Sequence, residues 1–210
     1  TAYEIRLSLV GSEMCIRDRT IGLFFGSFNP IHNGHLNIAR EVLKKTEIDS
    51  IWMVLSPRSP DKEEVLDKKD RYELMRLALM SETKINISKV EFNLKTPNYT
   101  YLTLLELSKK HPNYNFIILM GEDNYKNIND WRESNYIINN FKILVYPRES
   151  TLKNENFLTG KLYDISSSMI RRKVAKNEDI SSLVPLSLIH ISEPTRLRRI
   201  SYAVLCLKKK

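Results

Sequence analysis

Cysteine is nearly absent. The chain has two among 210 residues, Cys15 and Cys206, near opposite ends. Everything between them therefore lacks the means for a disulfide framework or a CxxC metal pair. Histidine is scarce too, at four residues. A metal centre would have to be assembled from His32, His35 and His111 with no cysteine to complete it, and none is expected. No apolar run approaches the roughly 20 residues that span a bilayer, and the N-terminal segment lacks a basic stretch followed by a long apolar one. We therefore expect a soluble, cytoplasmic protein with no membrane partner. There is no internal repeat and no low-complexity linker, which argues against a solenoid and for a single domain.

What is present is the balance of an ordinary globular chain, 42% hydrophobic and 28% charged. The net charge of +8 raises the question of nucleic acid. Its distribution answers against that partner: residues 186–210 carry six Lys/Arg against one Glu, residues 1–19 carry three of each sign, and 20–185 keeps 24 against 21. The central segment is close to neutral and holds no aromatic-basic RNA motif.

The two ends are also related to each other. Val10-Gly-Ser-Glu-Met-Cys-Ile-Arg-Asp-Arg19 can be encoded by GTG GGC TCG GAG ATG TGT ATA AGA GAC AG. The complementary strand of that DNA reads CTG TCT CTT ATA CAC ATC TCC GAG CCC, which translates as Leu186-Ser-Leu-Ile-His-Ile-Ser-Glu-Pro194. This resembles a transposon-type sequencing-library adaptor joined to both ends of a gene fragment. Residues 1–19 and 186–210 are accordingly expected to be adaptor-derived, and 20–185 to be the functional domain.

Along that domain, apolar runs and helical patterns alternate. Thr20–Gly26 is a short buried-strand pattern ending in glycine, and from His35 the apolar residues Leu36, Ile38, Ala39, Val42 and Leu43 follow a helical period. Ile51–Leu55 reads as a second strand, 70–81 as a helix, 85–92 as an alternating strand, and Thr100 as the cap of a helix through Lys110. Phe116–Met120 and Phe141–Tyr146 are further strands, with an irregular helical stretch around Trp131 between them. Continuous apolar strands alternating with helices predict a doubly wound, Rossmann-like parallel sheet of the α/β class. In such sheets ligands gather at the carboxyl ends of the strands, here the polar segments after Phe25, Leu55 and Met120.

Two segments carry chemistry. Gly26-Ser-Phe-Asn-Pro-Ile-His-Asn-Gly-His35 lies between a strand and a helix N-terminus, where backbone N–H groups and the positive end of the helix dipole favour an anion. Gly26 and Gly34 allow close approach to a phosphate, and the imidazoles of His32 and His35 can donate hydrogen bonds to it. Ile165-Ser-Ser-Ser-Met-Ile-Arg171 places serine hydroxyls at a helix start and a guanidinium one turn inside, a second phosphate cradle.

Together these segments resemble the two signatures of the HxGH nucleotidyltransferase superfamily, Gly-(Thr/Ser)-Phe-(Asp/Asn)-Pro-x-His-x-Gly-His and ISSTxIR. The segments between them are similar to the nicotinate-mononucleotide adenylyltransferase branch. Leu55-Ser-Pro-Arg-Ser-Pro-Asp-Lys62 is similar to a segment ending in Pro-His-Lys, with Asp61 in place of the histidine. Pro97-Asn-Tyr-Thr100 with Thr103-Leu104 resembles Ser-Tyr-Thr-x-x-Thr-Leu, and Gly121-Glu-Asp123 followed by Trp131 resembles Gly-(Ala/Gly)-Asp…Trp, with Glu122 a departure. The resemblance covers nearly all of 20–185.

The resemblance implies adenylyl transfer from ATP to nicotinate mononucleotide, with Mg²⁺ carried by the ATP rather than by a protein metal site. It implies catalytic roles for His32, His35, Lys62 and Arg171. ATP would be bound by Gly26, Ser27, Phe28, His32, His35, Gly121, Asp123, Ile165, Ser166, Ser167, Ser168 and Arg171. The pyridine nucleotide would fall to Asn29, Lys62, Tyr99, Thr100 and Trp131. It allows a homo-oligomer. Phosphopantetheine adenylyltransferase, in the same superfamily, and a non-catalytic nucleotide-binding module are the alternatives.

Overall fold

The computed structural model describes residues 19–57, 66–147, 158 and 163–189. The apolar runs become the strands β1 (Arg19–Gly26), β2 (Ser50–Leu55), β3 (Ile85–Ser88), β4 (Tyr114–Gly121) and β5 (Lys142–Tyr146). They pair in parallel as one sheet in the order β3-β2-β1-β4-β5. The chain builds outward from β1 to β3, returns to lay β4 on the other side of β1, and finishes with β5. Strand order thus reverses between β1 and β4, where a crevice opens at the carboxyl edge. The helices are α1 (Asn33–Lys45), α2 (Lys68–Ala78), α3 (Thr100–Lys110), α4 (Glu122–Lys126), α5 (Ser134–Asn140), α6 (Ser167–Ala175) and α7 (Leu186–Ile189).

Strand alternation sends the apolar side chains to two cores. Ile117 and Leu119 of β4 join Leu36, Ala39 and Val42 of α1 and Leu74, Met75 and Ala78 of α2 on one face. Phe116, Ile118 and Met120 join Leu104 and Leu107 of α3 and Ile137 of α5 on the other. With helices on both faces, each strand is buried on both sides, which is why its sequence reads as a continuous apolar run. Each fully buried Leu or Ile contributes about 1.5–3 kcal/mol relative to exposure. The doubly wound single domain expected from the sequence is the architecture found.

Three local expectations are corrected. The strand read over 85–92 stops at Ser88, and Val90–Asn93 forms a turn of 3₁₀ helix. Glu91 is turned inward there and accepts a hydrogen bond from the Thr103 hydroxyl at 2.9 Å, which a continuing edge strand would not allow. Thr100 is the first residue of α3 and not its cap; the cap position is Tyr99, whose side chain makes no capping bond, so packing of Leu104 and Leu107 holds that helix. α1 begins at Asn33, two residues before the periodic apolar pattern. Of the flanks expected to be adaptor-derived, 1–18 and 190–210 lie outside the described residues. Leu188 of α7 packs, partly buried, against apolar side chains of the domain.

Candidate active site

The Gly26–His35 segment crosses from the end of β1 to the start of α1. Phe28 in it has φ 43°, a positive value uncommon for a bulky side chain and costing about 1–3 kcal/mol. Its ring is 2% exposed and meets the rings of Phe24 and His35 edge-on, at 5.9 and 5.0 Å between centroids. Burial of that ring offsets the strain of the loop. The His32 and His35 rings stack 3.7 Å apart, and Nδ1 of His35 accepts from the His32 main-chain N–H at 3.3 Å. That bond assigns the proton of neutral His35 to Nε2. Gly34 is required by this stacking: a Cβ there would meet Nδ1 of His32 at 2.9 Å.

The second segment closes onto the first. Ser166 caps α6, its Oγ accepting from Met169 N–H at 3.1 Å. The Ser167 hydroxyl donates to the Pro30 carbonyl at 2.9 Å, and Arg171 donates from Nη1 to the Asn29 carbonyl at 2.8 Å and from Nη2 to the Ser168 hydroxyl at 3.2 Å. Two motifs remote in sequence thus share one hydrogen-bonded seam.

Between them, at the β1/β4 switch, lies a cavity of about 510 Å³. All twelve residues of the ATP set line it: Gly26, Ser27, Phe28, His32, His35, Gly121, Asp123, Ile165, Ser166, Ser167, Ser168 and Arg171. Asn29 lines it as well. At Gly121, which lines the cavity, an added Cβ would meet no atom of the other described residues within 4 Å, chain neighbours aside.

Tyr99, Thr100 and Trp131 are not part of that lining. Tyr99 and Thr100 start α3, and Trp131 follows a 3₁₀ turn (Ile128–Asp130), partly buried against the core beneath α3 and α5. Arg132 ties these segments together, its guanidinium 5.0 Å from the Tyr99 ring and 5.9 Å from the Tyr101 ring. Asp61 and Lys62 fall outside the described residues.

Residues 23–173 match the cytidylyltransferase-like family. A protein of Flavobacterium johnsoniae named "Probable nicotinate-nucleotide adenylyltransferase" is 40% identical over 176 residues, covering 79% of this chain and 91% of its own length. One of the same name from Clostridium acetobutylicum is 32% identical over 193 residues, covering 83% and 96%. The chain belongs to the cytidylyltransferase-like family, with the nicotinate-nucleotide adenylyltransferases. The fold agrees: nicotinic acid mononucleotide adenylyltransferase of Plasmodium falciparum, solved in complex with NaAD, superposes with a TM-score of 0.71 over 88% of this chain and 98% of its own, at 21% identity.

Three features of this family member were not singled out from its sequence. Tyr146 ends β5 and lines the cavity. Its hydroxyl donates to Glu41 of α1 at 3.0 Å and its ring lies near-parallel to Tyr163, 6.2 Å away. Burial, then the bond to Glu41, raises its phenol above the usual tyrosine range. The only sequence signal was a polar-tipped aromatic closing an apolar strand. Glu91 is 2% exposed, and burial raises its carboxyl above the ordinary range, opposed by hydrogen bonds from Ser56 and Thr103. Arg71 is 1% exposed, with burial lowering its guanidinium to about 10 against the raising effect of Asp67. Its signal was a basic residue three and four positions before Leu74 and Met75, on the apolar stripe of α2.

Proposed function

We propose that this chain transfers the adenylyl group of ATP to nicotinate mononucleotide, giving nicotinate adenine dinucleotide and pyrophosphate in the biosynthesis of NAD. The observation that carries this reading is the convergence of the Gly26–His35 loop and the start of α6 on one cavity at the β1/β4 switch. The names of the relatives support the choice of acceptor.

A phosphate oxygen of nicotinate mononucleotide attacks the α-phosphorus of ATP in line. The new P–O bond forms as the bond to the β-phosphate oxygen breaks, and that oxygen leaves with its electron pair as pyrophosphate, with no covalent enzyme intermediate. Such transfers depend on positioning and on neutralising charge. His35, donating from Nε2, and His32 stabilise the charge on the α-phosphoryl oxygens. Arg171 with Ser166, Ser167 and Ser168 holds the β and γ phosphates; the backbone of Gly26, Ser27, Phe28 and Ile165 forms the rest of the cradle. Asp123 binds the ribose beside Gly121. Asn29, Lys62, Tyr99, Thr100 and Trp131 receive the pyridine nucleotide, with Trp131 near the ring.

Among the described residues no group of three or more His, Cys, Asp or Glu side chains is arranged to hold a metal ion. Independently of that, Mg²⁺ would arrive on the triphosphate, since it keeps several waters and takes few protein ligands. Bound there, it would supply charge neutralisation to the phosphates. No helix among the described residues is long and apolar enough to cross a membrane. We place the reaction in the cytoplasm.

The test is pyrophosphate release from Mg-ATP with nicotinate mononucleotide, nicotinamide mononucleotide and phosphopantetheine side by side. Release with nicotinate mononucleotide, lost in His35→Ala, is the expected result; preference for phosphopantetheine would reassign the acceptor.

A further inference from the structure

Arg71 lies at the start of α2 with its side chain in the interior, beneath the loop that faces the cavity. Four of its N–H donors go to main-chain oxygens: Nε to Leu66 at 2.8 Å, Nη1 to Ser27 at 2.7 Å and Ser56 at 2.8 Å, and Nη2 to Pro57 at 2.8 Å. These oxygens belong to three separate segments, namely the phosphate loop after β1, the turn after β2, and the approach to α2. A buried guanidinium is costly unless its donors are matched, and here main-chain oxygens take four of its five, alongside the Ser56 N–H bond to the Gly26 oxygen at 3.0 Å that joins the same two loops.

The bond to Ser27 has a geometric consequence. In a trans peptide the C=O and the next N–H point in opposite directions. With the Ser27 oxygen held on Arg71, the Phe28 N–H is aimed away from Arg71. Ser27 and Phe28 both line the cavity, whereas Arg71 is buried and does not line it, which sets Arg71 and the cavity on different sides of the loop. Phe28 keeps its positive φ of 43° in this arrangement, a strained state that persists only where the surroundings over-determine it.

We propose that Arg71 is a positioning residue for the transfer reaction: by anchoring the Ser27 carbonyl it keeps the Ser27–Phe28 peptide turned so that the Phe28 N–H faces the nucleotide phosphates, and it locks the turn after β2 to the same loop. Lysine is not an equivalent. Its ammonium offers three donors from one point, against a planar fork of five, so at least one of the four oxygens loses its partner.

The kinetic arm of the test rests on the adenylyl-transfer reading. Arg71→Lys and wild type are compared by thermal unfolding, by binding of a non-hydrolysable ATP analogue, and by pyrophosphate release at a temperature where both are folded. The expected result is a kcat lowered about 10- to 100-fold in a folded protein, the size of effect that a small misplacement of a positioned group produces. A lowered Tm with kcat per folded molecule unchanged would assign Arg71 to the fold alone and overturn the proposal. The second measurement needs no variant and decides the matter if Arg71→Lys does not fold. In isotope-labelled wild type, Mg-ATP or inorganic pyrophosphate is expected to move the Phe28 amide proton downfield as it donates to a phosphate oxygen. A Phe28 amide that stays put while resonances of His32 and His35 move overturns the proposal. Wild type that shifts Phe28 with nucleotide but transfers nothing to nicotinate mononucleotide would sink the reaction reading and leave the orientation assigned to Arg71 standing.

Discussion

Arg171 donates from Nη1 to the main-chain oxygen of Asn29 at 2.8 Å, across 142 positions of sequence. The residue that ends the second motif thus buttresses the loop that opens the first. Hydrogen bonds from a charged donor contribute about 1.5–3 kcal/mol each. Arg171→Ala loses this bond together with the proposed contact to the β and γ phosphates. We expect kcat/KM for ATP to fall about 10- to 100-fold, from the loss of one such charged interaction. Steady-state kinetics with ATP varied checks this; an unchanged kcat/KM would detach α6 from the nucleotide.

Gly121 supplies a test of where the nucleotide lies. Its backbone, φ −76° and ψ 158°, suits any residue, and among the described residues, chain neighbours aside, an added Cβ meets no atom within 4 Å. Gly121→Val should therefore fold normally while filling part of the cavity. The expected outcome is a Tm within about 2–4 °C of wild type, the span of roughly 1 kcal/mol for a chain of this size, with binding of an ATP analogue by calorimetry greatly weakened. Undiminished binding would move the nucleotide elsewhere.

Trp131 separates the two substrates. If its ring packs on the pyridine, Trp131→Ala should raise KM for nicotinate mononucleotide about 2- to 10-fold, the value of an aromatic pair, and leave KM for ATP unaltered. Trp131→Phe should retain most of the affinity. Equal changes in both KM values would return Trp131 to the core that it partly enters.

Glu91 predicts a pH dependence of stability. Its folded carboxyl is raised above the ordinary 4.5, chiefly by burial. The native state then holds a proton that the unfolded chain has released, so the contribution of this group is fully present below pH 4.5 and is lost as pH rises through the higher folded value. Glu91→Gln keeps an oxygen for the Thr103 hydroxyl and removes the titration. Thermal unfolding should find the variant more stable than wild type near pH 7, by about 2–4 °C for each kcal/mol, with the difference shrinking toward pH 4. A difference constant over that range would show that Glu91 titrates as an ordinary carboxyl.

Much of this protein was decided by the sequence alone. Apolar runs ending in glycine or proline specify buried strands whatever their partners, because period and burial are local properties. The two phosphate-binding segments were readable for the same reason: each is a strand-to-helix or loop-to-helix junction whose glycines, serines and basic groups lie within ten residues. Only the tertiary structure decided which distant groups meet. The sequence could place Arg171 on a helix, but its bond to Asn29 depends on α6 crossing back over the β1 loop. Glu91 broke an alternating strand pattern because a hydroxyl on α3 was waiting for its carboxylate. Arg71 lies on the apolar stripe of α2, and nothing in its own neighbourhood of sequence marks it as the point where three segments bring their carbonyls. A buried polar group takes its meaning from partners supplied by the whole fold, and periodicity along the chain carries no record of them.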